Sequence, residues 1–320
     1  MCIVQCKLHV PIDGVGESRV GTTPSSPDPT DGHAWSQLKG PTALRIVLGT
    51  QLRRLREARG ITAAAAAQAI HASHAKISRM ELGRVSLREP DVTRLLTLYG
   101  ITDDQDRRAL LTLVRQSNVP SWWHQYSDIV PNWFETYLGL EQASAVIRTY
   151  QPQLIPGLLQ TPEVARTIIQ LTQPRQSDDD IERRLALWMT RQEILTQPGA
   201  PQLWAVMEEA TLWRVHGHSA MREQIQHLIE MAELPNITLQ IIPIHSRAHP
   251  ALGGQFTILR FSTPDLPDIV YLEQLTSALY LDKNEDVQHY LIIMDRLSVQ
   301  ANSPTETTKL LNNTLKKTLN

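Results

Sequence analysis

The stretch Ser73-His-Ala-Lys-Ile-Ser-Arg-Met-Glu-Leu-Gly83 decides how this chain is interpreted. Its first residue is a typical helix N-cap, and its last is a typical helix stop. Ile77 and Met80 lie three residues apart and are predicted to face a core. The residues predicted to face outward are His74, Ala75, Lys76, Ser78 and Arg79. A short helix with a basic, hydrogen-bonding outer face suits the major groove of DNA, so the stretch predicts a recognition helix.

The residues around this stretch have the pattern of a small helical domain. A first helix is predicted from Leu44, with leucines recurring on one face until Gly60 ends it. Thr62 is predicted to cap a second helix over residues 63–70, and Ser73 caps the third. Two more helices are predicted over residues 91–99 and 102–117, the last with acidic residues in its first turn. Residues 44–118 are therefore predicted to form an all-α helix-turn-helix domain of five helices.

Charge is unevenly distributed along the chain. The whole chain has 31 basic and 33 acidic residues. Residues 45–115 contain 13 Lys or Arg and 7 Asp or Glu, which gives this segment a net charge of +6. The rest of the chain therefore has 18 basic and 26 acidic residues, a net charge of −8. A basic module beside an acidic one indicates that the first meets phosphate and the second does not.

The N-terminal tail, residues 1–43, is predicted to be disordered because its Gly, Pro, Ser and Thr cannot bury much apolar area. The two cysteines, Cys2 and Cys6, lie in this tail without a set of metal-ligating neighbours. We therefore expect no disulfide framework and no metal, which suits a cytoplasmic protein. No apolar run approaches the 18 residues that a membrane span needs, so we expect no contact with a membrane.

The second half has a different pattern. Residues 119–131 form an aromatic connector that, with the aromatic residues just after it, is expected to pack the two halves together. Residues 132–302 are predicted to form an effector or partner-binding α+β domain with a mainly antiparallel sheet. Its helices are predicted at residues 132–149, 161–171, 178–196, 220–233 and 285–298, and its strands at 202–206, 237–242, 254–261 and 268–273. Residues 303–320 are predicted to be a C-terminal helix or a tail.

Two family resemblances cover residues 44–300. Leu52-Arg-Arg-Leu-Arg-Glu-Ala-Arg-Gly-Ile-Thr62 and Ser73-His-Ala-Lys-Ile-Ser-Arg-Met-Glu-Leu-Gly-Arg84 resemble the phage-repressor-like (XRE-type) helix-turn-helix family. The rest resembles the C-terminal domain of actinobacterial WhiJ-like regulators. The matching stretches are Ile147-Arg-Thr-Tyr-Gln-Pro-Gln-Leu-Ile-Pro-Gly-Leu-Leu-Gln-Thr161, Met189-Thr-Arg-Gln-Glu-Ile-Leu195, Ala232-Glu-Leu-Pro-Asn-Ile-Thr238 and Ala248-His-Pro-Ala-Leu-Gly-Gly-Gln-Phe-Thr257.

The first resemblance implies which residues meet double-stranded DNA. His74, Ala75 and Arg79 would contact base edges, with Lys76 and Ser78 nearer phosphate. The remaining implied DNA-binding residues are Thr62, Ala63, Ser73 and Arg84. The family commonly has Gln at the position of Ala63, whose backbone amide can still bind phosphate. Arg56 and Glu81 match a structural ion pair of the family. Repressor-like modules also gain specificity by pairing, so we expect a homodimer.

The second half leaves two hypotheses open. Its titratable residues include His216, His218, His245, His249 and Glu273, but no catalytic motif, phosphate loop or metal pattern joins them. We therefore expect no catalysis, no cofactor and no metal in a transcriptional regulator that senses a ligand or a small protein encoded next to it. The resemblance further suggests an antitoxin-like role. The alternative is an enzyme, a hydrolase or transferase, with an N-terminal DNA-binding module.

Four residues are the candidate contacts for that ligand or partner. Leu158 and Leu159 lie in the apolar segment Leu154-Ile-Pro-Gly-Leu-Leu159, and His249 begins the glycine-containing loop His249-Pro-Ala-Leu-Gly-Gly254. Glu273 ends a predicted strand. A leucine-rich segment beside a loop would form a docking groove if it were exposed, whereas a buried one would close the core.

Overall fold

The computed structural model describes residues 40–214, 218–246, 251, 253–263 and 265–317, with only the backbone of residue 218. Most of the predicted disordered tail, with Cys2 and Cys6, lies outside these residues. His216 and His249 lie outside them as well. The described residues belong to one compact unit of the chain, Gly32–Asn320.

The helical half begins at Pro41, three residues before the predicted start, because proline suits the first turn of a helix. Its helices are α1 (Pro41–Ala58), α2 (Ala63–Ala69), α3 (His74–Glu81), α4 (Glu89–Leu98) and α5 (Asp104–Ser117). They enclose one core that includes Leu48, Leu52 and Ile77. The prediction of five helices is therefore confirmed for this part of the chain.

The second half contains a six-stranded mixed sheet with the strand order β3-β2-β1-β4-β5-β6. The strands are β1 (Val146–Gln151), β2 (Gln202–Glu208), β3 (Ile237–Ile242), β4 (Phe256–Arg260), β5 (Ile269–Glu273) and β6 (Ala278–Leu281). The prediction of a mainly antiparallel sheet holds only for the run from β1 through β4 and β5 to β6. β1, β2 and β3 are parallel, because the helices between them carry the chain back across the sheet.

Helices cover both faces of this sheet. The helices of this half are α6 (Asn132–Ala143), α7 (Pro162–Thr172), α8 (Asp178–Gln192), α9 (His218–Ala232), α10 (Asn284–Gln300) and α11 (Pro304–Lys317), of which α7 packs on α8 and α9. Residues of α6, α8, α9 and α11 share a core with one face, and residues of α10 share a core with the other. The C-terminal stretch, predicted as a helix or a tail, is thus a helix over α11, with Leu311 fully buried.

One predicted helix, residues 132–149, is wrong in its last turns. The helix ends at Ala143 and the chain then enters β1, the strand that joins the parallel and antiparallel parts of the sheet. Val146, Ile147 and Thr149 are β-branched and favour a strand, and β1 pairs on both sides. The short strand β6 was not predicted.

The aromatic connector contributes to the core of the second half, and Ile46 of α1 packs against that same core. Trp123 and Phe134 are buried in the core of the second half, and no connector residue belongs to the described helical core. Asp128 also faces this half, since Arg183 of α8 donates to its two carboxylate oxygens at 2.7 and 2.8 Å. The connector is therefore part of the second domain's core.

Other segments join the two halves. Leu266, between β4 and β5, is buried in the helical core, and the neighbouring Asp265 accepts hydrogen bonds from Gln51 and Arg54 of α1 at 3.1 and 2.7 Å. α6 crosses α1 closely: a Cβ added to Gly139 would lie 2.2 Å from the Thr42 Oγ1. Helix α1 thus belongs to the helical core and also contacts the second half.

Candidate nucleic-acid interface

The turn between α2 and α3 follows directly from its capping residues. The Thr62 Oγ1 accepts a hydrogen bond from the Ala65 amide, and the Ser73 Oγ accepts one from the Lys76 amide, each at 3.2 Å. Between the helices, His71 has a positive φ of 52°, which closes the turn. Thr62 and Ser73 therefore have a definite role in helix formation, in addition to the DNA contacts that the resemblance implies.

The helix α3 presents the face that its sequence predicts. Ile77 and Met80 are buried, while His74, Ala75 and Arg79 are exposed and Ser78 is half-buried. The Arg79 Nε donates to the Ala75 carbonyl at 3.3 Å. This bond occupies Nε, whereas a fork onto guanine can use the two terminal nitrogens.

Two glycines let α1 approach α3 and the turn after it. A Cβ on Gly49 of α1 would lie 2.5 Å from the Met80 carbonyl oxygen. Gly83, just after α3, has φ of 65°, and its Cβ would lie 2.6 Å from the Ile46 Cα. Only glycine tolerates both the left-handed φ and the close contact at position 83. The position of α3 is therefore set by direct backbone packing on α1.

An ion pair ties the end of α3 to α1. The Arg56 Nε and Nη2 donate to the two Glu81 carboxylate oxygens at 2.6 and 2.9 Å, the pair that the family resemblance implies. The Arg56 Nη1 also donates to the Ile61 carbonyl at 2.8 Å. The hydrogen bonds with Glu81 raise the pKa of Arg56 despite its burial. Both residues face the protein interior, so they support the fold.

Lys76 has an intramolecular partner that the sequence did not indicate. Its Nζ lies 2.8 Å from the Asp91 Oδ2, in the first turn of α4. Arg88 donates to the same oxygen from Nε and Nη2 at 3.2 and 3.1 Å. Burial alone would raise the pKa of Asp91, but the hydrogen bonds from Lys76 and Arg88 outweigh it and lower the pKa. Lys76 is thus engaged within the protein, and its expected place near phosphate stays a prediction.

The remaining predicted DNA-binding residues lie around α3. Ala63 is the first residue of α2 and half-buried, and Arg84 is exposed just after Gly83. Arg88 and Arg94 are also exposed on or beside α4. The surface beside α3 therefore has basic side chains within the same small domain.

The predicted partner-binding residues of the second half have a different environment. Leu158 and Leu159 are only 4% and 0% exposed, so they close the core and form no docking groove. Their segment is a short 3₁₀ helix, Gly157–Leu159, packed against α8. His249 lies outside the described residues. Glu273 is half-buried, and its burial raises the pKa of its carboxyl group.

A buried ion pair near Glu273 was missed at the sequence level. The Arg191 Nε and Nη2 donate to the Glu141 carboxylate at 2.6 and 2.7 Å, and the Tyr137 hydroxyl donates to the same group at 2.7 Å. The Arg191 guanidinium carbon also lies 5.1 to 5.6 Å from the ring centroids of Phe134, Tyr137 and Trp188. Arg191 falls within the quoted stretch Met189 to Leu195, but nothing local pairs it with a residue 50 positions earlier.

Comparison with protein families divides the chain in the same way. A helix-turn-helix domain family matches residues 47–110, so the chain carries a helix-turn-helix DNA-binding domain. The family described as "Domain of unknown function (DUF5753)" matches residues 134–313, more than half of the chain. The chain belongs to the DUF5753 family. No curated protein and no solved structure matches it.

The DUF5753 domain, residues 134–313, runs from the first turn of α6 into α11. Its match extends past the predicted boundary at residue 302, consistent with the packing of α11 in its core. A groove of about 390 Å³ borders α10 and is lined by Trp204, Gln240 and Val299, among others. A cleft of about 210 Å³ between α6 and α8 has the Glu141–Arg191 pair in its wall.

The described part of the DUF5753 protein has neither a metal-binding cluster nor a membrane-spanning helix. Within those residues, no group of three or more His, Cys, Asp or Glu side chains is close enough to hold a metal ion. No helix there is long and apolar enough to cross a membrane.

Proposed function

We propose that this protein is a cytoplasmic transcriptional regulator of the XRE type, in which α3 reads double-stranded DNA. The observation that carries the proposal is the arrangement of α3: a capped helix with exposed His74, Ala75 and Arg79 that packs closely on α1. Direct readout needs such side chains on a helix that enters the major groove. The net charge of +6 on the helical half supports the approach of this face to phosphate.

The test compares Arg79→Ala with Arg108→Ala, a matched change at an exposed arginine on α5. DNA that the wild-type protein retains from a random pool provides the specific sequence, and a scrambled version is the reference. Arg79→Ala should weaken specific binding by about 1 to 3 kcal/mol and relax the preference at one base pair. Arg108→Ala should change neither affinity. Equal weakening of both DNAs by Arg79→Ala would contradict base readout by α3.

The same proposal includes a homodimer on DNA. One helix-turn-helix module offers few base contacts, and pairing two modules doubles them. The two half-sites should then lie about 34 Å apart, one turn of the duplex. Light scattering on the protein, alone and with the retained DNA, measures the oligomeric state directly. A monomer in both samples would contradict the homodimer.

The DUF5753 domain is proposed to sense a small protein or ligand without catalysing a reaction, in an antitoxin-like arrangement. The contacts with α1 support this, because Asp265 and Leu266 touch the helical half while α1 packs against α3. A ligand that shifts the segment between β4 and β5 would therefore act on the reading helix through α1.

The sensing role is tested by adding the purified product of an adjacent small reading frame to the protein–DNA complex. We expect the affinity for the retained DNA to change several-fold. Asp265→Asn should reduce this change, because it weakens the bonds to Gln51 and Arg54. Asp282→Asn, on an exposed residue after β6, is the matched control. Binding of the small protein with no effect on DNA affinity would contradict the sensing role.

A further inference from the structure

Lys76 occupies an unusual place for a cation on a reading helix. It lies between the exposed Ala75 and the buried Ile77, yet its side chain is only 31% exposed and its Nζ is held by Asp91 at 2.8 Å. Arg88 donates to the same carboxylate although its own side chain is 71% exposed. One carboxylate that is 5% exposed therefore engages two cations beside the DNA-reading face.

We propose that Asp91 is a specificity-determining residue of the DNA interface, which acts by holding Lys76 and Arg88 away from phosphate. The proposal rests on the proposed function of α3. Asp91 does not itself touch DNA in this arrangement, so it acts through the two cations as a positioning residue.

The physical reason is that phosphate contacts carry no sequence information. Each lysine or arginine that neutralises a phosphate releases counterions and strengthens binding to every sequence alike. Asp91 reduces the combined charge of its group from +2 to +1 and also fixes the two side chains. Binding then depends more on the residues that can read base edges, such as His74 and Arg79. A regulator has to find one site among many competing ones. The ratio of its affinity for the specific site to its affinity for random DNA therefore matters more than affinity alone.

Asp91 also lies in the first turn of α4, where a carboxylate stabilises the helix dipole. A role restricted to that helix gives a different expectation. If Asp91 only stabilised α4, its replacement would lower the stability of the protein. The salt dependence of binding to random DNA would then stay unaltered. Measurements of DNA binding in salt separate the two roles.

The experiment measures the affinity of the full-length Asp91→Asn protein for random-sequence and retained DNA over a range of salt concentrations. The slope of log K against log[salt] should become steeper by about 0.9 to 1.8 for random DNA, one unit of 0.9 for each cation released. Random DNA should bind several-fold more tightly at low salt, and the ratio of specific to random affinity should fall. Asp104→Asn makes the same charge change in the first turn of α5 and should alter the slope less.

Lys76→Met provides a second test that does not require the Asp91 variant to fold. In the wild-type background it should change the slope by less than about half a unit, because Lys76 is already held by Asp91. In the Asp91→Asn background, once circular dichroism shows that this protein is folded, the same change should reduce the slope by about 0.9. A full unit lost in the wild-type background would overturn the proposal.

Failure of this inference is distinguishable from failure of the proposed function. If Arg79→Ala loses specific binding while a folded Asp91→Asn keeps the wild-type slope, α3 reads DNA but Asp91 does not determine specificity. If neither the wild-type protein nor any variant distinguishes retained from random DNA, the proposed function itself is wrong.

Discussion

Removal of Glu81 from its pair with Arg56 should strongly destabilise the helix-turn-helix domain. The two side chains are only 8% and 11% exposed, and two charge-assisted hydrogen bonds of 2.6 and 2.9 Å join them. In Glu81→Leu the guanidinium loses its buried countercharge and keeps only the exposed Glu57, whose Oε1 lies 3.4 Å from the Arg56 Nη2. Breaking one partner of such a pair costs about 3 to 5 kcal/mol. The double variant Arg56→Met/Glu81→Leu leaves no buried charge and should be close to wild type in stability, apart from the lost bond to the Ile61 carbonyl.

The assay is urea unfolding of the full-length protein, followed by circular dichroism, for the wild type, both single variants and the double variant. If the free energy of unfolding falls by about 3 kcal/mol per M urea, the urea midpoint of Glu81→Leu should lie about 1 to 1.7 M below that of the wild type. The double-mutant cycle should give a coupling free energy of about 3 kcal/mol or more.

A coupling below about 1 kcal/mol would refute the reasoning, because the pair would then contribute no more than a surface ion pair. DNA binding provides a second criterion. A double variant that is folded and stable should still bind the retained DNA, since Arg56 and Glu81 support the fold. Loss of specific binding in that folded protein would show that the pair takes part in readout.

Two further predictions concern the DUF5753 domain. Leu159→Asp should unfold it, because a charge would enter a fully buried site, whereas Leu154→Asp at an exposed position should not; circular dichroism and thermal unfolding compare them. The pKa of Glu273 is raised on folding, so its contribution to stability is present below pH 4.5 and is lost as the pH rises through the folded pKa. Glu273→Gln should therefore lose less stability than wild type as the pH rises above 4.5, and an identical pH dependence in urea unfolding would contradict this.

The helical half could be predicted largely from sequence because its signals are local. Thr62 and Ser73 cap the helices that follow them, and the spacing of Ile77 and Met80 correctly gives the buried seam of α3. Such features depend on residues within one or two turns of each other. The ion pair between Arg56 and Glu81 came only from the family resemblance, since the two residues are 25 positions apart.

The errors in the second half lie where distant segments decide the structure. The sequence pattern predicts the end of a helix where β1 lies, because the strand forms by pairing with β2 and β4, which are more than 50 residues away. Leu158 and Leu159 carry no local sign of whether they face solvent or a core. Apolar sequence alone cannot distinguish these cases, because burial is decided by what packs on top.

Local patterns in the sequence predict the helix-turn-helix, its capping residues, the outward face of α3 and the basic charge of that half. The three-dimensional fold is needed to show that Lys76 is held by Asp91, that Glu141 pairs with Arg191 and that Leu266 enters the helical core. Helix periodicity and capping are short-range properties of the chain. Partners 15, 50 or more residues apart meet only when the whole fold brings them together, and no local pattern specifies which residues will meet.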